Sequence, residues 1–194
     1  MNKEEVLDIF KKAEAYLEGH FVLTSGYHSP QYFQKSKVFQ YPEFNSALAA
    51  GIIEKFKGTK IDVVVSPVMG AVVLGAEVAR QLNVRFNFAE REQGVMSLRR
   101  GFELEEGENV LIVEDIVTTG GSVIEVIDML KKYPVKVNIA GVGYVIDRNE
   151  GKTDFGVTKH ALAEVEVIKF KPEEVPDWLN EIPITKPGSR YLNS

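Results

Sequence analysis

The sequence predicts an α/β fold in which a mostly parallel central sheet is flanked by helices. Residues 61–65 and 110–114 are short runs rich in valine and isoleucine, typical of strands that are buried on both faces. Segments with apolar residues at helical spacing lie between these runs. Strands that alternate with helices favour a parallel sheet, and 194 residues suit a single domain with some additional elements.

The helices are predicted from apolar side chains three or four residues apart and from the residues that begin or stop a helix. The N-terminal pattern ends at Gly19, and Pro42, which suits a first turn, opens the next helix. The pair Tyr133-Pro134 stops the last one. The predicted helices cover residues 1–18, residues 42–57, a small-residue stretch ending at residue 82, and residues 123–133.

Further strands are predicted at residues 84–89, 135–145 and 165–170. Residues 90–108 have many charges and weak periodicity, which indicates a long loop or a hairpin. A loop of that length in a compact domain is usually functional or mobile. The C-terminal tail, residues 184–194, is predicted to lie on the surface.

Composition narrows the function classes. The chain has no cysteine, so disulfides and thiolate metal sites are excluded, and its three histidines are too scattered to indicate a metal site. The net charge of −5 argues against a general nucleic-acid-binding protein. No stretch approaches the roughly 20 apolar residues of a membrane span, and the N-terminus does not resemble a signal peptide. We therefore expect a cytoplasmic protein with no membrane or nucleic-acid partner.

The most informative segment joins the predicted strand 110–114 to the helix that begins near Val123. The strand ends in two carboxylates, Glu114 and Asp115, and a short loop of hydroxyl side chains and glycines follows. Ligands of open α/β sheets bind at the carboxyl ends of the strands. Backbone N–H groups of a glycine loop and the positive end of a helix dipole suit a phosphate. The residues of this phosphate cradle are Thr118, Thr119, Gly120, Gly121 and Ser122.

Two carboxylates beside a phosphate need a different partner, because they would repel it. Ribose hydroxyls meet this need, either directly or through the water shell of a metal. The whole segment therefore indicates a site for a ribose 5-phosphate. It is neither a P-loop nor a GxGxxG dinucleotide motif. An ordinary strand-to-helix turn with a solvated acidic pair is the competing interpretation, and the full fourteen-residue pattern disfavours it.

The segment VLIVEDIVTTGGSV, residues 110–123, closely resembles the motif by which type I phosphoribosyltransferases bind 5-phosphoribosyl 1-diphosphate (PRPP). Residues 21–33, FVLTSGYHSPQYF, are similar to the N-terminal hood signature of the orotate enzymes in that family. Residues 66–70 resemble its diphosphate loop, and residues 89–92 and 145–148 fall in its order and spacing. The resemblance implies a single domain over residues 1–194, with residues 1–42 and part of the C-terminal tail as the hood.

The resemblance also implies a role for each residue. PRPP would contact Arg91, Glu114, Asp115, Ile116, Val117, Thr118, Thr119, Gly120, Gly121 and Ser122. Orotate would contact Thr118, Arg148, Tyr32 and Phe33. The catalytic residues would be Glu114, Asp115 and Arg99. A guanidinium at Arg148 also suits orotate on physical grounds, since it offers the carboxylate a planar, two-pronged partner.

The resemblance further implies Mg²⁺, held mainly by PRPP with no direct protein ligand. It implies a homodimer in which a loop over residues 92–106 reaches the site of the neighbouring subunit. The chain departs from the usual pattern at Thr24 and at Met69-Gly70, where many orotate enzymes have lysine and Tyr-Lys. Residues 94–102 contain neither lysine nor histidine, and an arginine there supplies charge but no proton.

Two other functions fit parts of this pattern. One is a phosphoribosyltransferase for a purine base, which would not need Arg148. The other is a regulator that senses PRPP without catalysis, which is expected to carry a nucleic-acid-binding domain. The sequence contains no obvious domain of that kind.

Overall fold

The structure is a computed structural model, and it describes residues 1–23, 25–166 and 168–185. Thr24, Val167 within the predicted strand 165–170, and residues 186–194 of the predicted surface tail lie outside these ranges. Within the described ranges, no helix has both the length and the apolar character needed to cross a membrane.

A six-stranded sheet forms the centre of the molecule, in the order β5-β4-β3-β6-β7-β8. Every neighbouring pair is parallel except β4 and β5, which form an antiparallel hairpin at one edge. The predicted fold class is therefore confirmed. The strands are β3 (Val63–Pro67), β4 (Arg85–Glu92), β5 (Val95–Leu98), β6 (Asn109–Val117), β7 (Asn138–Asp147) and β8 (Lys159–Glu164).

Helices cover both faces of this sheet. Alternate residues of β3 face opposite sides, so Val64 packs in one apolar cluster while Val63 and Val65 pack in the other. The first cluster takes the apolar faces of α1, α3 and α4, and the second takes that of α5. The helices are α1 (Lys3–Lys12), α2 (Ser36–Phe39), α3 (Pro42–Lys55), α4 (Val72–Leu82), α5 (Gly121–Lys131) and α6 (Asp177–Asn180).

A second, three-stranded sheet lies in the N-terminal segment and includes a strand from the C-terminal segment. It consists of β1 (Tyr16–Val22), β2 (His28–Phe33) and β9 (Ile184–Thr185), in the order β2-β1-β9. We call it the hood sheet. Ser29 fastens it to the C-terminal segment, because its hydroxyl donates to the carbonyl of Ile168 at 2.8 Å.

The predicted helix over residues 1–18 is wrong in its second half. The helix ends at Lys12, Glu14 takes a positive φ of 50°, and the chain then enters β1. Leu17, whose spacing matched the helix, instead pairs with Tyr32 across the hood sheet. Pairing with a strand that lies fifteen residues away overrode the local periodicity.

The predicted strand 165–170 is also wrong, since the last strand of the central sheet is β8 at 159–164. Its residues pair with β7, with Val142 opposite Lys159 and Tyr144 opposite Ala161. Phe170 forms only an isolated bridge with His28. The charged residues 90–108, predicted as a loop or a hairpin, contain the end of β4 and all of β5.

Candidate active site

The two acidic residues at the end of β6 are buried. Asp115 has no exposed surface, and its Oδ1 accepts a hydrogen bond from the backbone N–H of Ile116 at 2.6 Å. Glu114 Oε1 accepts from the backbone N–H of Asp115 at 3.0 Å. Burial, reinforced by the charge of Asp115, raises the pKa of Glu114 to about 8.

A lysine that the sequence analysis did not identify completes this acidic pair. Lys35 lies between β2 and α2, and its Nζ is 2.8 Å from Oδ1 and 2.7 Å from Oδ2 of Asp115. The Oδ2 contact lacks hydrogen-bond geometry, so Lys35 holds that oxygen by charge alone. The residues are 80 positions apart in the chain. Apart from its place just after the aromatic pair of the hood signature, no local signal points to Lys35.

The predicted phosphate cradle forms one continuous cavity of about 230 Å³. Gly120 begins α5 with a positive φ of 78°, a backbone conformation that glycine adopts without strain. The cradle thus lies at the N-terminus of an eleven-residue helix, where free N–H groups and the helix dipole favour an anion. The cavity is lined by Arg91, Glu114, Ile116, Val117, Thr118, Thr119, Gly120, Gly121, Ser122 and Val123.

Arg91 reaches this cavity from β4. Its guanidinium forms a two-pronged ion pair with Glu125, with Nε–Oε2 at 2.7 Å and Nη2–Oε1 at 3.0 Å. Its Nη2 also lies 3.4 Å from the hydroxyl of Ser122. Arg91 is thus placed beside the end of the cradle that Ser122 forms.

Arg148 lies at the carboxyl end of β7, next to the cradle. Its backbone N–H donates to the carbonyl of Val117 at 2.8 Å. Its side chain is half-buried, and its fully buried Nε has no hydrogen-bond partner among the described residues. Burial lowers the pKa of Arg148, and Tyr32 of the hood sheet is the nearby group that acts in the opposite direction. An arginine stays charged despite such a shift, so the site holds a cation with no counter-ion in the part of the chain that the structure describes.

Tyr32 and Phe33 were both predicted to lie near orotate, and the structure separates them. Neighbouring residues of a strand point to opposite faces. Tyr32 is half-buried on the side of Arg148, whereas Phe33 packs in the core between Phe10 and Tyr16, at ring distances of 5.7 and 5.2 Å. Phe33 therefore packs beneath the hood sheet as a core residue, and the structure does not place its ring beside Arg148.

Arg99, predicted as a catalytic residue, does not line the cavity in this structure. It follows β5 at the edge of the central sheet, where its guanidinium lies 3.5 Å from Glu90 and 2.9 Å from Glu92. The neighbouring Arg100 also pairs with Glu90, at 2.9 Å. Two acidic residues of β4 thus hold the arginines of the hairpin in the structure of the single chain.

The segment 66–70, which comprises the last two residues of β3 and the start of the loop after it, borders the acidic pair on its other side. The peptide bond between Val68 and Met69 is cis. A Cβ atom at Gly70 would lie 2.1 Å from Oδ2 of Asp115 and 2.7 Å from Nζ of Lys35. The backbone at Gly70 thus lies directly against the Lys35–Asp115 pair, and only glycine leaves the necessary space.

Comparisons with known proteins show to which family the chain belongs. Residues 43–155 match the model of the phosphoribosyl transferase domain. The orotate phosphoribosyltransferase of Caldanaerobacter subterraneus subsp. tengcongensis is 50% identical over 192 residues, which span 99% of this chain and 100% of the relative. That of Thermoanaerobacter sp. (strain X514) is also 50% identical, over 98% of this chain and 99% of the relative. The chain belongs to the orotate phosphoribosyltransferase family.

Solved structures agree with the phosphoribosyltransferase fold. Orotate phosphoribosyltransferase from Aeropyrum pernix superposes with a TM-score of 0.71 at 22% identity, covering 82% of this chain and 93% of that one. Adenine phosphoribosyltransferase from Saccharomyces cerevisiae superposes with a TM-score of 0.63 at 18% identity, over 80% and 99%. Enzymes for different bases share the fold, so the base must be inferred from the site itself and from the closer relatives.

Proposed function

We propose that the chain transfers the 5-phosphoribosyl group of PRPP to orotate, giving orotidine 5'-monophosphate and diphosphate, a step of pyrimidine synthesis. Arg148 is the observation that carries the choice of base. Its half-buried guanidinium, without a partner among the described residues, is matched by a carboxylate, and orotate has one where adenine and hypoxanthine do not.

The order of the strands supports a place for each part of the substrates along the sheet edge. The acidic pair lies near the end of β6 and the cradle follows it, which supports a 5-phosphate over Gly120 and ribose hydroxyls on Glu114 and Asp115. The neighbour on one side is β7, which brings Arg148 and the base. The neighbour on the other side is β3, whose loop at Gly70 remains for the diphosphate. The three parts of the reaction thus follow the order β7, β6, β3.

The reaction needs little acid–base chemistry from the protein. N1 of orotate forms a bond to the anomeric carbon of the ribose, and the proton of N1 passes to the departing diphosphate. The bond from that carbon to the diphosphate oxygen breaks, and its electron pair leaves with the diphosphate. Positive charge develops on the sugar, so both buried acids would help by positioning the ribose hydroxyls, and the carboxylate of Asp115 would also help by its charge. Closure of the hairpin over the site would exclude water from the sugar cation.

The donor set fits a magnesium ion that arrives with PRPP. Within the described part of the chain, no group of three or more histidine and acidic side chains is placed to hold a metal ion. Of the two acids at the site, Asp115 already has a lysine partner. When bound, Mg²⁺ would neutralise the charge of the leaving diphosphate.

We propose in addition that the enzyme acts in the cytoplasm as a homodimer whose hairpin is shared between subunits.

A spectrophotometric assay with PRPP and a panel of bases tests the proposal. Orotate should be consumed when Mg²⁺ is present, and excess chelator should abolish the reaction. Uracil, which lacks the carboxylate, should be a poor substrate, as should adenine and hypoxanthine. Turnover of a purine with a silent orotate reaction would contradict the proposal. Full orotate turnover in chelator would contradict the role of magnesium only.

A further inference from the structure

Lys35 links the hood to the floor of the site. Its backbone lies between β2 and α2, and its ammonium group sits on both carboxylate oxygens of Asp115 at 2.7 and 2.8 Å. Asp115 is fully buried, whereas 43% of the Lys35 side chain is exposed. Lys35 thus covers Asp115 on the side that faces solvent, from which a ligand would approach.

The same ammonium group touches the loop after β3. Its Nζ lies 2.7 Å from the position that a Cβ of residue 70 would occupy. The ammonium group therefore has space here because residue 70 is a glycine. Residues 66–70, SPVMG, contain no charged side chain. Lys35 is therefore a cation at the place where the strand order puts the diphosphate.

Ribose hydroxyls and Lys35 compete for Asp115. Ribose hydroxyls that donate hydrogen bonds to the buried carboxylate can replace the ammonium group as its partner. A diphosphate carries more negative charge than the carboxylate, so it attracts the ammonium group more strongly. Lysine is a point charge on a flexible stem, so it can change partners by rotation of its side chain without movement of the backbone.

We propose that Lys35 exchanges partners when PRPP binds, leaving Asp115 to the ribose hydroxyls and binding the diphosphate beside Gly70. In the free enzyme Lys35 neutralises the buried acid, and in the complex it contributes to leaving-group binding. The inference rests on the proposed function, because the proposed binding mode of PRPP places the diphosphate at this loop.

Binding measured by calorimetry without orotate tests this inference separately from the reaction. The probes are PRPP, inorganic diphosphate and ribose 5-phosphate, each with Mg²⁺. Lys35→Met removes the charge and keeps most of the side-chain volume. It should weaken PRPP and inorganic diphosphate by about tenfold to a hundredfold, the range expected for loss of one charge-assisted contact. Ribose 5-phosphate, which has no diphosphate, should not bind more weakly and should bind as tightly or more tightly, because the variant removes the group that competes with ribose for Asp115 in the free enzyme.

Lys37→Met is the matched control. The side chain of Lys37 is 42% exposed, close to the 43% of Lys35, but it pairs with Glu14 at 3.6 Å and not with the acids of the site. The Lys37→Met variant should bind all three probes with the affinity of the unmodified protein. Thermal melting checks that each variant is folded, and Lys35→Gln, which keeps a donor for Asp115 but no charge, replaces Lys35→Met if that variant does not fold.

Two outcomes overturn the inference. Equal weakening of PRPP and ribose 5-phosphate would mean that Lys35 serves Asp115 alone. Unchanged PRPP affinity would mean that Lys35 does not bind the diphosphate. If the unmodified protein bound neither PRPP nor ribose 5-phosphate, the proposed function itself would fall, and the inference with it.

Discussion

Glu114 and Arg148 are two ionisable side chains whose surroundings leave them ready for a ligand. Glu114 is buried next to another acid, and both the burial and the neighbouring charge raise its pKa. Arg148 keeps its charge, but its buried Nε has no partner among the described residues. A ribose hydroxyl can form a hydrogen bond with Glu114. A carboxylate can accept the hydrogen bond that the Nε of Arg148 does not make among the described residues. The residue types were apparent from the sequence, whereas their pKa shifts and burial required the structure.

Arg148→Ala should raise the KM for orotate by about tenfold to a hundredfold, because it removes one charge-assisted pair with the carboxylate. The KM for PRPP should stay nearly unchanged. Steady-state kinetics with each substrate varied in turn measures both values. Arg80→Ala, which removes an exposed arginine that pairs with Glu77, is the control and should leave both values unchanged. A loss of PRPP affinity in Arg148→Ala would contradict the assignment of the carboxylate partner.

Glu114→Gln should change how the stability of the free protein depends on pH. The unfolded chain releases the proton of Glu114 near its ordinary pKa of 4.5, whereas the folded chain keeps it until about pH 8. Folded protein therefore binds more protons in that window, and its stability falls as pH rises from 4.5 to 8. Glutamine removes this contribution. The difference between the melting temperature of the variant and that of the unmodified protein should therefore be more positive at pH 8 than at pH 5.

Differential scanning calorimetry at the two pH values measures that difference, and a free-energy change of 1 kcal/mol corresponds to about 2–4 °C for a chain of this size. Glu54→Gln, which removes an exposed carboxylate, controls for the loss of one charge. An equal change in melting temperature at pH 5 and pH 8 would show that the pKa of Glu114 is not raised.

The unit that joins β6 to α5 was predictable because its signals are local. An apolar strand, a glycine and hydroxyl loop, and a helical pattern follow one another within about twenty residues, and the structure contains all three in that order. The strand runs to Val117, beyond its predicted end at residue 114, and the helix begins at Gly121, two residues before its predicted start. Elements fixed by distant partners were not predictable in this way. The chain at Leu17 forms a strand because Tyr32 pairs with it, β8 begins at Lys159 because β7 lies beside it, and Lys35 meets Asp115 across 80 residues.

Gly120→Ala should weaken PRPP binding and destabilise the fold. An alanine Cβ would lie 2.6 Å from Cγ2 of Thr153 and 2.8 Å from the ring of Phe155, so the cradle would be pushed away from the loop that follows β7. Gly58→Ala separates this clash from backbone strain, since Gly58 has a similar φ of 83° with nothing within 4 Å of its Cβ position.

We expect Gly58→Ala to cost about 1–2 kcal/mol of stability, the usual cost of the left-handed conformation, with unchanged kinetics. Gly120→Ala should cost more than this and also raise the KM for PRPP. Chemical denaturation and steady-state kinetics measure both effects. If the two variants were equally stable and equally active, the contact between the cradle and Thr153 would have no role in PRPP binding.

At the scale of the whole molecule, the three proposed binding regions follow neighbouring strands of the central sheet, and the β4–β5 hairpin forms one end of that sheet. Arg99 lies on this hairpin and pairs with Glu90 and Glu92 rather than with the cavity of its own chain. The arrangement leaves the proposed dimer with a specific requirement, because an arginine at the sheet edge acts in catalysis only if the hairpin moves or reaches a neighbouring subunit.

Mixing Arg99→Ala with Asp115→Ala tests whether the hairpin acts across subunits. In a mixed dimer with shared hairpins, one site carries both defects and the other carries neither. Random reassortment of equal amounts gives about half mixed dimers, so roughly a quarter of all sites should regain activity, by the statistics of a twofold dimer. Subunits are exchanged in mild denaturant, exchange is verified with tagged chains, and orotate turnover is measured. No recovery after verified exchange would contradict a shared site.

The most direct test of the central claim is a crystal structure with orotidine 5'-monophosphate bound. The account predicts that the phosphate lies in the cradle at Gly120, that the ribose hydroxyls contact Glu114 and Asp115, and that the carboxylate of the base pairs with Arg148. A nucleotide bound outside the cavity after β6, or in that cavity with its carboxylate turned away from Arg148, would contradict the account.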